Sequence, residues 1–275
     1  MATFEQCNLV VKEFEETIKN PKKPSGKKLL TGVDLGTAFI VLAVMDENLN
    51  PIAGAYRYAA VVKDGLVVDY MGAIKIVKEL KAEVEQKLGC ELIYAATAIP
   101  PGTSVNDTAT IKYVVEGAGF EVTKVLDEPT AANSLLGIKN GAVVDIGGGT
   151  TGVAIFKDGK VVYVADEPTG GTHFSLVLAG SLHISFDEAE IQKRDFTKHK
   201  EYFPALKPVI QKVSSIIKKH VEGHDVEDIY LVGGTCCFTD MEKVIEKETG
   251  IPTHKPANPL YVTPLGIAMN CEVFE

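Results

Sequence analysis

Residues 29–44 read LLTGVDLGTAFIVLAV, and residues 141–156 read GAVVDIGGGTTGVAIF. Each stretch is an apolar run, an aspartate, a glycine-rich turn with threonine, and a second apolar run. Short apolar runs bounded by turn residues have the length of buried strands rather than of helices. The two aspartates, Asp34 and Asp145, lie 111 positions apart. A repeat at that spacing predicts two half-molecules of similar design. Two such turns facing each other would clamp a nucleoside polyphosphate between them.

The turn residues suggest how. Gly147, Gly148 and Gly149 lack side chains, so backbone N–H groups can approach phosphate oxygens closely. Thr150 adds a hydroxyl donor, and Gly36 with Thr37 offers a smaller version in the first turn. A carboxylate repels phosphate, but it can hold Mg2+ through water, and the ion then neutralises the phosphates. Asp34 and Asp145 suit that role. One such turn is usually an ordinary hairpin; two in matched strand contexts carry more weight. The chain has no GxxxxGK[ST] phosphate loop. GGGTTG leads into a strand rather than a helix, which argues against a dinucleotide-binding turn.

Outside the repeat, the chain alternates strands and helices. Phe4, Cys7, Val11, Phe14 and Ile18 step by three and four, one face of an amphipathic helix. NPKKPSGKK then interrupts it, so residues 1–28 read as a helix and a flexible linker, docked on the protein itself or on a partner. Ile74, Val77, Lys81, Val84 and Leu88 mark a second helix, ended by Gly89. Ser104 with Asp107, and Thr239 with Glu242, read as capping pairs that start further helices. The alternation predicts two α/β domains. The first covers 29–138 and is rejoined by 257–275; the second covers 139–256, with a helical insert near 172–225.

Composition narrows the function. The 275 residues, 45% hydrophobic, suffice to bury a large core. A net charge of −9 argues against a general binder of nucleic acid or anionic membrane. The basic run Lys19, Lys22, Lys23, Lys27 and Lys28 is local and reads as solvated linker. No apolar run is long enough to span a bilayer, and no signal-peptide pattern opens the chain. Five cysteines without framework spacing suit reduced thiols and a cytoplasmic location. Adjacent Cys236 and Cys237 read as small buried hydrophobes. His220 and His224 lie too close to a helix end to make a metal pair.

Four motifs in order, GVDLGT (32–37), DEPTAA (127–132), DIGGGTT (145–151) and LVGGT (231–235), resemble the phosphate-1, connect-1, phosphate-2 and adenosine motifs of the actin/heat-shock-chaperone/sugar-kinase superfamily. The resemblance runs from about Leu29 to the end. It implies an actin-like ATPase (ribonuclease H-like) fold, with two similar α/β domains around a nucleotide cleft and small inserted subdomains. Within the superfamily the chain is similar to chaperone-like proteins of ethanolamine utilization, and more distantly to MreB and FtsA.

The resemblance implies ATP or ADP with Mg2+ as ligands. Glu128 matches the glutamate that orients the attacking water, with Asp145 beside it in the catalytic set. Asp34 and Asp145 match the carboxylates that hold the metal's waters. Glu190, Lys193 and Arg194 match a segment touching ribose and adenine, and Gly233 and Gly234 match glycines packed on adenosine. Two departures stand out. Gly152 occupies the position where heat-shock chaperones, MreB and FtsA carry an acid, and no lysine matches the catalytic cation of actin or the chaperones. Charge stabilisation in the transition state is often the largest catalytic contribution, so binding with slow hydrolysis is expected. The implied role is an accessory factor acting on ethanolamine-utilization enzymes or microcompartment shell proteins, and itself microcompartment-associated. A metabolite kinase and an actin-like polymerising scaffold are the alternatives.

Overall fold

The structure, a computed structural model, describes residues 4–26 and 28–274. After helix α1 (Phe4–Lys19), a meander of β1 (Leu29–Leu35), β2 (Phe39–Asp46) and β3 (Pro51–Tyr58) leads to a small hairpin, β4 (Val62–Lys63) and β5 (Leu66–Val67). Then come α2 (Tyr70–Leu88), β6 (Tyr94–Ile99), α3 (Val105–Gly117), β7 (Glu121–Asp127) and α4 (Glu128–Leu136). A second meander follows: β8 (Gly141–Ile146), β9 (Thr151–Lys157) and β10 (Lys160–Glu167). The chain continues through α5 (Gly171–Leu182), α6 (Phe186–Lys193), α7 (His199–Val221), β11 (Ile229–Val232), α8 (Met241–Thr249), β12 (Thr253–His254) and α9 (Val262–Met269).

The expected pair of α/β halves is present. The first sheet has the order β3-β2-β1-β6-β7 and the second β10-β9-β8-β11-β12. In each, the meander strands run antiparallel and the two later strands join in parallel. Strands joined in parallel need a long crossover, supplied by α2 and α3 in the first half and by α5–α7 and α8 in the second. Helix α2 shows how local rules set these elements. Asp69 caps its start by accepting from Gly72 N, and Gly89 ends it in a left-handed conformation, φ +72°. It buries Ala73, Val77, Leu80 and Val84 on the first sheet, a stripe centred one residue before the expected one.

Two helices link the halves. Helix α4 leaves the first sheet, and α9 leaves the second and packs back on β1, β2 and β6. They cross closely, since a Cβ on Gly266 would sit 1.8 Å from Ala131 O, and α9 lies equally tight on β1, where a Cβ on Gly32 would sit 2.4 Å from Pro264 O. Only glycine permits backbones this near.

Helix α1 docks on its own molecule. Cys7, Val11 and Phe14 are fully buried against Val41, Met45 and Tyr261, and Gly54 makes room for the Phe14 ring. This apolar face is therefore covered and is not a free docking element for a partner. In the linker, Lys22 N–H donates to Ile52 O (2.8 Å), Lys22 pairs with Glu13 and the Ser25 hydroxyl bonds Asp46. Lys27 lies outside the described residues. No helix among the described residues is long and apolar enough to cross a membrane.

Other local expectations divide. Ser104 caps α3 by accepting from Asp107 N, as expected. The Thr239–Glu242 pair does not form. His199 on α7 engages the Thr239 hydroxyl and N–H at 2.9 and 3.0 Å, and Glu242 pairs with Lys255 (2.7 Å). Asp240, in a left-handed conformation, takes the cap position instead. Cys236 is buried and Cys237 half-buried. His220 bonds Tyr163 and Glu167 at 2.8 and 3.0 Å.

Candidate nucleotide site between the halves

The two glycine turns close the ends of β1 and β8 and face each other. A Cβ on Gly148 would come 3.1 Å from Ala38 N, and one on Gly149 would come 2.8 Å from Asp64 Cα. Side chains there would push the halves apart, so the glycines let two backbones meet. Between them lies a cavity of about 70 Å³ lined by Asp34, Gly36, Thr37, Glu128, Asp145, Gly147, Gly148, Gly149, Thr150, Gly233 and Gly234. Eleven residues named from sequence thus share one cleft.

Its electrostatics are one-sided. Asp145, only 6% exposed, accepts from the Thr263 hydroxyl at 2.7 Å. Gly233 sits against it at φ +91°, where a Cβ would be 2.3 Å from Asp145 Oδ1. Burial pushes Asp34 up to about 7, and the charge of Asp145 adds to the shift. Burial also pushes Asp145 up to about 6, against the Thr263 hydrogen bond. Glu128 opens α4, where Asp127 accepts from Thr130 N (2.9 Å). Burial raises its carboxyl well above the usual range, and the charges of Asp145, Asp34, Asp166 and Asp127 raise it further.

Crowded carboxylates of this kind favour a divalent cation. Among the described residues no cluster of three or more His, Cys, Asp or Glu could hold a metal directly. Held through its waters, as Mg2+ usually is, an ion would suit Asp34 and Asp145. The glycine cradle beside them suits the phosphates it would carry.

A larger cavity of about 480 Å³ adjoins this one and is bordered by Lys193, Arg194 and Gly234, with Phe39, Tyr56 and Tyr261 among its aromatic walls. Arg194 reaches from the second half to stack on Tyr58 (4.6 Å) and Phe39 (5.5 Å) of the first. Lys193 Nζ donates to Gly171 O (3.0 Å) and to the Ser175 hydroxyl (2.8 Å), and pairs with Glu190. Glu190 itself is 4% exposed and borders neither cavity. It anchors Lys193 from inside, whereas the sequence reading had it facing ribose.

Sequence reasoning missed three residues. Thr263 reaches Asp145 from α9, at the far end of the chain, with no local signal. Thr235, last in LVGGT, bonds Gly147 O at 2.7 Å and was readable as part of that motif. Asp166 lies near Asp145 and Glu128, and only strand register reveals it.

Two matched sheets, two crossing helices and facing glycine turns define the actin-like ATPase fold. Residues 113–264 match the family model described as type IV pilus assembly protein PilM. The structure of MreB5 of Spiroplasma citri bound to ADP shares the fold, with TM-score 0.69 over 88% of this chain and 96% of that one, at 18% identity. More particularly, the chain belongs to the family of the ethanolamine utilization protein EutJ. It is 46% identical over 245 residues to that protein from Salmonella typhimurium, covering 89% of this chain and 86% of the relative. The crystal structure of EutJ from Carboxydothermus hydrogenoformans matches with TM-score 0.92 and 48% identity, over 97% of this chain and 98% of that one.

Proposed function

We propose that the cleft binds ATP or ADP with Mg2+, and that the protein is a nucleotide-dependent, chaperone-like accessory factor acting on enzymes or microcompartment shell proteins of ethanolamine utilization. The observation that carries this reading is the pair of glycine turns facing each other, each backed by an aspartate. The MreB5 relative, bound to ADP, supports the choice of ligand, and the EutJ relatives support the setting.

In this reading, Gly147–Thr150 and Gly36–Thr37 donate backbone N–H and hydroxyl groups to the phosphates. Asp34 and Asp145 hold the waters of Mg2+, whose charge neutralises the polyphosphate. Glu128 orients the attacking water. No lysine in the sequence matches the catalytic one of actin or the chaperones, so hydrolysis is slow. The adenosine lies toward the larger cavity, against Gly233, Gly234 and Arg194. The moving units are 29–138 with 257–275, and 139–256. Gly148 touches Ala38, so the halves part to admit the phosphates. Nucleotide state then sets the angle between halves and the surface offered to a partner.

The test is capture of purified ethanolamine-utilization enzymes and shell proteins on the immobilised protein, with ATP, ADP or EDTA. Capture should change with nucleotide and lose that dependence in Asp145→Ala. Capture indifferent to nucleotide would contradict the switch. Glu128→Gln should bind nucleotide as wild type does, with phosphate release reduced about tenfold or more. Unchanged release would remove Glu128 from its role.

A further inference from the structure

Gly152 leaves the second phosphate turn one carboxylate short, and strand register shows where another lies. Asp145 on β8 pairs with Gly152 on β9, and Gly152 pairs with Asp166 on β10. Residues directly opposed in antiparallel strands point to the same face. Asp145, Gly152 and Asp166 therefore form one row across the sheet.

A bulge puts Asp166 in that row. The β9–β10 turn pairs Lys157 with Lys160 and Phe156 with Val161. Continued without interruption, that register would set Ala165 opposite Gly152 and turn Asp166 to the other face. The register shifts by one residue between Val161 and Tyr163, and a bulge of this kind re-aims every side chain beyond it.

Where the row points is fixed by its neighbours. A Cβ on Gly152 would stand 3.3 Å from Pro101 Cδ and 3.5 Å from Pro129 Cγ, so this face looks across the cleft toward the residue after Glu128. Gly152 keeps the space between the two aspartates free of side chain. Oδ1 of Asp166 is fully buried with no hydrogen-bond partner, an arrangement that costs free energy unless a donor is supplied. Burial raises this carboxyl to about 6, and the neighbouring Thr150 hydroxyl opposes that shift by hydrogen-bonding its ionised form. The next residue, Glu167, by contrast has basic partners at Oε1, with His220 at 3.0 Å and Lys219 at 3.6 Å.

We propose that Asp166 is a positioning residue for the nucleotide-bound Mg2+: from β10 it accepts from the ion's water, in the role that an acid at Gly152 would fill. The inference rests on the cleft binding a Mg2+–nucleotide. The donor missing from Asp166 Oδ1 is then a metal-bound water, and Thr150 links the same carboxylate to the phosphate turn.

The experiment measures ADP affinity by calorimetry with Mg2+ and with EDTA, in wild type and in Asp166→Asn. Electron paramagnetic resonance of Mn2+ in the ADP complex is the second readout. Wild type should bind ADP more tightly with Mg2+. In Asp166→Asn the affinity in EDTA should be unchanged, while the gain from Mg2+ falls about tenfold and the Mn2+ spectrum changes. Gly152→Asp added to Asp166→Asn should restore the gain. An undiminished gain in Asp166→Asn would overturn the proposal. So would an equal loss with and without metal, which would mark Asp166 as a support for Thr150 alone. If wild type binds ADP indifferently to Mg2+, this proposal falls with the metal role of Asp34 and Asp145, and nucleotide binding by the cleft stands. If wild type binds no ADP, both fall.

Discussion

The two halves share strand order, strand direction and a bulge in the hairpin after the glycine turn, yet they set different residues beside the aspartate. In the first half the row from Asp34 runs through Val41 to Tyr56. In the second the row from Asp145 runs through Gly152 to Asp166. Val41 is buried in the apolar core that includes residues of α1 and α9, and Tyr56 packs against Phe39 and Tyr261. The first row is thus largely apolar, whereas the second carries a carboxylate at each end. The crossing helices differ in a similar way. Glu128 precedes Pro129 in α4 and adds charge to the cleft; Thr263 precedes Pro264 in α9 and donates a hydrogen bond to Asp145. Packing preserves the duplicated scaffold, while a few positions per half divide the chemistry between them.

The largest expected effect tests the scaffold. Gly266→Ala drives a Cβ into Ala131 O at the crossing of α4 and α9, and the obstacle is backbone that cannot rotate away. A loss of about 3 kcal/mol or more is expected in urea unfolding. A neutral result would mean the crossing yields and that the halves are less firmly coupled than the packing indicates.

A smaller effect separates Thr263 from its counterpart Glu128. Thr263→Val keeps the shape and leaves Asp145 without its hydroxyl donor. About 1–2 kcal/mol of stability should be lost at neutral pH, with weaker nucleotide binding in Mg2+. Unchanged melting and affinity would make Thr263 a bystander.

The smallest effect is in pH dependence. Folding raises Asp34 to about 7, so its protonated form is favoured in the folded state. That contribution is complete below the ordinary aspartate range and is lost as pH rises from about 4 through 7. Asp34→Asn stays neutral throughout. In EDTA without nucleotide, its melting temperature should match wild type below about pH 4, pull ahead as pH rises, and exceed it by a few degrees at pH 8. A constant difference across that range would mean Asp34 titrates as an ordinary surface acid.

Much of this was legible in the sequence, for physical reasons. Apolar runs closed by DLGT and DIGGGTT announced the strand pairs, because buried strands and phosphate-approaching turns leave few alternative residues. The face of α1 was legible from its period, and its docking on the first sheet was one of two open outcomes. Asp166 was not legible, because its direction depends on a bulge; the register set by the Asp158–Gly159 turn points to Ala165. Thr263 was hidden because its partner lies 118 positions away. Glu190 was read as facing ligand because AEIQKR resembles the chaperone segment that touches ribose and adenine, whereas here Ser175 and Lys193 satisfy it inside the second half. Thr239 was misread because a distant histidine outcompetes the local cap.

The most direct test of the central claim is a calorimetric titration of the wild-type protein with ATP and Mg2+, beside Asp145→Ala. Saturable binding of one nucleotide per chain, lost in the variant, is the result predicted by two turns acting as one clamp. No binding by wild type at millimolar ATP would contradict the account and leave the paired turns as scaffold alone.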